Sequence, residues 1–221
     1  MGLNVIITGV TGMVGEGVLI EALQNPAVTS VLAVTRKPTG IQSPKLKELV
    51  VDDFFKVESH QSKLQGYDAC FYCAGISSNG LSEETYTKIT FDTTIHFAKV
   101  ISKLNPDLVF NFVSGAHTDS TEKGKTMWAR VKGKTENELS RIFSKRAYHF
   151  RPALMKPFPQ QKHIYGYNKW IAKLYPVMKF VFPACSIQEI AQAMIQASTH
   201  GYDHAILEVP DIIKAAHMRR G

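Results

Sequence analysis

Residues 3–26 read LNVIITGVTGMVGEGVLIEALQNP, and the parsing of this stretch decides the fold. Leu3 to Thr8 is a mostly apolar run rich in β-branched residues, the pattern of a short strand buried on both faces. Met13 to Asn25 carries helical spacing and stops at Pro26, which cannot continue a helix. Gly9, Gly12 and Gly15 fall at the joint, where each has a separate task. One permits the tight turn, the next lets a phosphate approach the backbone at the helix N-terminus, and the third lets helix and strand pack closely. A strand, a glycine loop and a helix in this order predict a dinucleotide site formed by Gly9, Thr11, Gly12, Met13, Val14 and Gly15.

Working outward, the same alternation continues. SVLAVTR is a second strand, KELVVDDF holds a short third, DACFYCAG is a fourth, DLVFNFVSG a fifth and AYHFRPA a sixth. A long helix through SEETYTKITFDTTIHFAKVISKL separates the fourth from the fifth, and a helix containing Trp128 separates the fifth from the sixth. Short apolar strands joined by crossover helices predict an α/β fold, a doubly wound parallel sheet of the Rossmann, NAD(P)-binding kind. After Arg151–Pro152 the rhythm changes. PALMKPFPQQKH is proline-rich and irregular, and NKWIAKLYPVMKFVF is helical but broken at Pro176. SIQEIAQAMIQAS is an amphipathic helix with Ser186 as N-cap and Glu189 completing a capping box. HAILEV and DIIKAAH supply a last strand and helix. The expectation is one domain over 1–221, with 153–221 a small helical cap on the substrate side, too small to fold alone.

The 221 residues, 44% of them apolar, suit one full core. A formal charge of +7 and a pI near 9.3 point to an anionic ligand. The cations are spread along the chain, so a bound phosphate accounts for them and a nucleic-acid partner is not expected. Three cysteines, Cys70, Cys73 and Cys185, fit a reducing compartment. No apolar run is long enough to span a bilayer, and the first apolar stretch reads as a strand rather than a signal peptide. A cytoplasmic location without membrane insertion is expected.

An NAD site wants a carboxylate about 20 residues past the glycine loop, at the end of the second strand. Thr35, Arg36 and Lys37 stand there instead, and two cations suit a 2′-phosphate that a guanidinium can grip bidentately. NADP is therefore favoured over NAD, with NAD kept as the alternative. Asp52, after the third strand, is a candidate partner for the adenine amino group. Cys73, Ala74 and Gly75 end the fourth strand, where small residues let the backbone pass close to a cofactor.

With these pieces assembled, the chain resembles an atypical, epimerase-like short-chain dehydrogenase/reductase from Gly2 to about Pro157, and more loosely afterwards. Gly9–Gly15 resembles the family's cofactor loop, VTRKP its NADP-reading turn, NFVSGAH the strand bearing the catalytic serine, here Ser114, and VKGKTENEL the helix bearing the catalytic lysine, here Lys132. FRPALM resembles the strand that carries the backbone past the nicotinamide, which adds Arg151 and Pro152 to the cofactor set. Among its groups the Tat-interacting-protein-type oxidoreductases look most similar. The resemblance implies hydride transfer to a small carbonyl substrate, with a tyrosine four residues before the lysine delivering the proton. Trp128 occupies that position. Trp128 and Lys132 share a helix face, but an indole N–H donates a hydrogen bond without ionising near neutral pH. A displaced proton donor could be His117, in SGAH beyond Ser114, Tyr165 in YGYNK with Lys169 four residues on, or a water held by Ser114 and Lys132. The other reading is a protein that senses NADPH and regulates a partner protein without turnover. An epimerase or dehydratase is less favoured, since the segment after Pro152 leaves little room for a sugar nucleotide.

Other constellations resolve into structure. Cys70 and Cys73 are three apart on a strand and face opposite sides of the sheet. His200 and His204 have metal-ligand spacing, but Gly201 breaks the helix between them, so no metal is expected. Trp170, Leu174, Val177 and Val181 form a packing stripe. Gly133, beside Lys132, allows a close helix contact, and a homodimer interface is one place for it.

Overall fold

A computed structural model describes residues 2–158, 160–162 and 183–218. The sheet has seven strands: β1 (Leu3–Thr8), β2 (Val28–Thr35), β3 (Leu46–Val50), β4 (Ala69–Tyr72), β5 (Val109–Val113), β6 (Ala147–Arg151) and β9 (Ile206–Glu208). Their order is β3-β2-β1-β4-β5-β6-β9, and every pairing is parallel. The chain runs outward from β1 to β3 and then returns to lay β4 on the other side of β1. This reversal opens a crevice at the carboxyl ends of β1 and β4, where ligands of such sheets sit.

Alternate side chains build two cores. Val5, Ile7, Val31, Phe71 and Phe150 point to one face, where α1 (Met13–Gln24), α5 (Ile187–His200) and α6 (Val209–His217) cover them. Ile6, Leu32, Cys70, Tyr72, Phe110 and Phe112 point to the other, covered by α3 (Thr93–Leu104) and α4 (Met127–Phe143). Burial on both faces is why these strands read as continuous apolar runs rather than alternating ones. Cys70 and Cys73 accordingly belong to opposite cores and are free thiols.

The long helix after β4 is not uniform. Ser82 caps α2 (Glu83–Thr87) by accepting from the Thr85 amide, and a π-helical turn at Lys88–Asp92 joins it to α3. Thr93 and Thr94 donate their hydroxyls to the Lys88 and Thr90 carbonyls there. A wider turn inserts a residue without breaking the helix.

The segment after Pro152 supplies the expected C-terminal helices, α5 and α6. Its described part completes the domain: β9 pairs with β6 (Phe150 with Leu207), and α5 packs on α1. PALMK is not wholly irregular, since β7 (Leu154–Lys156) pairs with β8 (Ala184–Ser186). The reason is backbone satisfaction, because the open edge of β6 needs a partner, and the apolar side of α1 needs a cover. The capping box of α5 is present, with Ser186 Oγ accepting from the Glu189 amide and Glu189 from the Ser186 amide. Gly201, at φ 77°, ends that helix between His200 and His204. The interrupted helix, the Tyr165–Lys169 pair and the Trp170 stripe lie outside the described residues. Among the described residues no helix is long and apolar enough to cross a membrane, and no group of three His, Cys, Asp or Glu could hold a metal ion.

Candidate functional site

The glycines divide the labour as their spacing suggests. Gly9 has φ 70°, and a Cβ there would lie 2.6 Å from the Cys73 and Ala74 backbone. A Cβ on Gly15 would lie 2.1 Å from the Gly9 carbonyl oxygen, so the start of α1 presses directly on the loop. Gly12 is different: its nearest neighbour is the Gly9 carbonyl at 3.4 Å, and the space before it is open. It is also the N-cap of α1, with no side chain capping the helix. An uncapped helix start behind a bare backbone fits a pyrophosphate, which would take both the free N–H groups and the favourable end of the helix dipole. Thr8, fully buried, accepts from the Ala74 amide at 3.2 Å and locks the tip of β4 to that of β1.

A cleft of about 250 Å³ opens from this loop. Gly9, Thr11, Gly12, Arg36, Cys73, Ala74 and Gly75 line it, together with Val34, Thr35 and Phe54. Seven residues expected from the sequence thus meet in one place. Met13 and Val14 instead turn their side chains to the core, and the Met13 carbonyl accepts from Gln161, which leaves their backbone N–H groups for a ligand. Lys37 and Asp52 are exposed and outside the lining. The wall where Asp52 was expected belongs to Phe54, two residues on, whose ring also packs against Phe97 at 5.7 Å. The sequence signal for Phe54 was weak, an aromatic residue following two acids.

The other end of the crevice lies beyond β5 and β6. The strand ladder continues past their ends, with the Ser114 amide donating to the Phe150 carbonyl and the Ala116 amide to the Pro152 carbonyl. Along α4, Trp128, Lys132 and Glu136 stand at successive four-residue steps, one face of the helix. The half-buried Trp128 lies beside Gly115, its ring 3.8 Å from where a Cβ on that glycine would be. Lys132 Nζ donates to the Ser114 carbonyl at 2.8 Å. Burial pushes the lysine down to about 8, opposed by the charge of Glu136. Glu136, 1% exposed, holds Arg151 through both carboxylate oxygens, at 3.0 and 2.5 Å. Arg151 also donates to Ser120 Oγ and Glu208. Its guanidinium therefore ties α4, β6 and β9 together, and only the backbone at Arg151 and Pro152 is left to face a cofactor.

Ser114 is 5% exposed, and its hydroxyl lies 2.9 Å from Thr118 Oγ1. Thr118 donates its single hydroxyl proton to the Gly115 carbonyl at 2.7 Å, so Ser114 must be the donor in the pair. Thr118 and Glu136 were not singled out in the sequence; the four-residue repeat from Trp128 was the available signal for Glu136. His117 is exposed, in the left-handed region at φ 67°. Gly133 is explained within the chain, because a Cβ there would lie 1.8 Å from the Asp119 carbonyl oxygen.

Comparison with known proteins agrees with this construction. A model of the NAD dependent epimerase/dehydratase family matches residues 5–137. Protein fmp52, mitochondrial, of Emericella nidulans is 28% identical over 158 residues, 69% of this chain and 66% of its own length. Leucinostatins biosynthesis cluster protein T of Purpureocillium lilacinum is 26% identical over 143 residues, 63% of this chain and 52% of its own. Protein HTATIP2 of Rattus norvegicus is 22% identical over 174 residues, 78% of this chain and 69% of its own. The aligned stretch thus spans between half and two thirds of the first two relatives. Among solved structures, UDP-glucose 4-epimerase of Thermotoga maritima with UDP-glucose superposes with a TM-score of 0.69 at 15% identity, over 96% of this chain and 81% of that one. The Bordetella bronchiseptica enzyme WbmF in complex with NAD+ does so at 0.66 and 14%, over 97% and 76%. At such identities the likeness is one of fold. With more than half its length matched by the family model, and with the glycine loop, switch-point crevice and lysine helix in place, the chain belongs to the NAD dependent epimerase/dehydratase family.

Proposed function

We propose that the protein is an NADP(H)-binding oxidoreductase of the short-chain dehydrogenase type, acting on a small carbonyl substrate with its usual proton donor absent or displaced. The observation that carries this reading is Arg36, a residue that lines the cleft and whose guanidinium makes no hydrogen bond or ion pair among the described residues. An unpaired cation at the adenosine side suits a 2′-phosphate. The bound nicotinamide would supply or accept the hydride. The chain's own residues hold the reacting end: Lys132 stays tied to the end of β5, and Trp128 stands beside Gly115 as a donor without an ionisable proton. His117 is the exposed candidate for a displaced acid.

A second reading, an NADPH sensor without turnover that regulates a protein partner, is favoured by one specific feature. Ser114 has its proton committed to Thr118, and Trp128 cannot deliver one, so neither is ready to protonate a carbonyl oxygen. Fluorescence titration with NADPH and NADH tests the cofactor, and equal or absent binding of both overturns the Arg36 argument. Turnover of aldehydes and ketones by wild type, Ser114→Ala and His117→Ala tests the chemistry. Wild-type activity lost in His117→Ala supports the displaced acid. Activity seen only in Trp128→Tyr supports the sensor. A cytoplasmic location and a homodimer remain part of the proposal, to be checked by fractionation and light scattering.

A further inference from the structure

The basic turn after β2 is held by two threonines, one buried and one at the surface. Thr35, 3% exposed, donates its hydroxyl to the Lys37 carbonyl at 2.9 Å and accepts from the Lys37 amide at 3.4 Å. Its own carbonyl accepts from the Val51 amide at 2.9 Å. Thr39 closes the far side. Its amide donates to Glu48 Oε1 at 2.9 Å, its hydroxyl donates to the same oxygen, and that hydroxyl accepts from the Ile41 amide at 3.1 Å.

The register shows what this does. Thr35 stands beside Val50, whereas Glu48 stands beside Ala33. Between Thr35 and Thr39 the chain turns over the strand end, and Thr39 meets the side chain of Glu48, two residues before the partner of Thr35 on β3. Arg36, Lys37 and Pro38 form the exposed crest, with Pro38 fixing its own φ. Glu48, the acid that β3 brings to this turn, has its Oε1 engaged by Thr39, and Arg36 is left without an anionic partner among the described residues.

We infer that Thr35 and Thr39 are specificity-determining positioning residues, which preset the crest so that Arg36 meets a ribose 2′-phosphate without reorganising. The inference rests on the NADP(H) reading above. A bidentate guanidinium–phosphate contact requires one geometry. A mobile loop would have to freeze into that geometry on binding, and a bracketed one has already done so. NADH has no phosphate for the crest to meet, so the bracket acts on one cofactor and not on the other.

The test is the dissociation constant of the full chain for NADPH and for NADH, by fluorescence titration, in wild type, Arg36→Ala, Thr35→Val, Thr35→Ser, Thr39→Val and Thr39→Ser. Wild type is expected to prefer NADPH by roughly tenfold or more, and Arg36→Ala to bring the ratio near one. Thr39→Val is expected to lower the ratio by roughly three- to tenfold with the NADH constant within about twofold of wild type. Thr35→Val is expected to lose more for NADPH than for NADH, and both serine variants to keep the wild-type ratio. If wild type binds both cofactors equally, or neither, the NADP(H) reading falls and the inference with it. If wild type prefers NADPH through Arg36 but the valine variants keep the ratio, or weaken both cofactors equally, the reading stands and the bracket is overturned. Thermal unfolding verifies that each variant is folded, and Thr39→Val decides the matter should Thr35→Val fail to fold.

Discussion

At the β1–β2–β4 end of the crevice the working parts are mostly backbone: a bare Gly12, an uncapped helix start and a loop wedged between Gly9 and Gly15. At the β5–β6 end they are side chains: Trp128 beside Gly115, and Lys132, Glu136, Arg151, Ser114 and Thr118, each of these five placed by a hydrogen-bond partner. The two ends tolerate change differently. A backbone site is lost when a Cβ intrudes and is otherwise indifferent to side-chain chemistry. A side-chain site keeps its shape when one residue is exchanged for another of similar size, while its chemistry changes completely. That is how an intact nucleotide loop can coexist with a tryptophan on the lysine helix.

The sharpest way to probe the contrast is Trp128→Tyr. Restoring an ionisable hydroxyl on the same helix face is expected to raise carbonyl reduction by about 10²–10⁴-fold, read as kcat/KM, with NADPH affinity unchanged. An unchanged rate would mean that the second end lacks more than its acid.

Next in size is Glu136→Ala, which leaves the Arg151 guanidinium buried without its main counterion. A loss of about 3–5 kcal/mol in unfolding free energy is expected from urea melts. A loss below about 1 kcal/mol would show that Glu208 and Ser120 suffice to hold Arg151, and that the second end is less dependent on paired charge than described.

The pH response should also come from the side-chain end. Burial holds the His149 imidazole at about 4, below its ordinary 6.5, with Arg151 helping and Glu136 opposing. Its folded value is depressed, so the unfolded chain takes up the proton first as the pH falls. The stability is in place above 6.5 and is lost as the pH drops towards 4. Between pH 7 and 4.5 this one group is expected to remove about 2–3 kcal/mol. His149→Gln, which can keep a bond to Ser140, is expected to flatten that part of the profile. Identical slopes would locate the acid sensitivity elsewhere.

The smallest expected effect belongs to the backbone end. Gly12→Val has room on the protein side, so unfolding is expected to shift by less than about 1 kcal/mol while dinucleotide affinity falls at least roughly tenfold. Unchanged affinity would remove Gly12 from the pyrophosphate site.

Sequence made the first end far more legible than the second. Glycine spacing, Pro26 and the cations after β2 are local signals, and the elements they mark are where they were expected. The second end depends on partners far apart in the chain. Glu136 reads as one more exposed acid until Arg151 is brought to it across 15 residues. The strand in HAILEV is legible from its residues, but its place in the sheet is not, because only the fold shows that β9 pairs with the edge of β6. The π turn at Lys88–Asp92 keeps a helical pattern of side chains, so spacing alone cannot distinguish it. Phe54 takes the wall expected of Asp52 because the chain turns into a 3-10 helix there, and an exposed acid gains nothing by turning inward.

Gly133 carries one more consequence. Because hydrogen stands where any other residue would carry carbon, the lysine helix rests directly on the Asp119 carbonyl, and the thickness of that contact sets how far the neighbouring ammonium extends. A methyl group at this position would act as a shim, lifting the helix and drawing Lys132 back from Ser114. The reach of the charged group is thus calibrated by an atom that is not there.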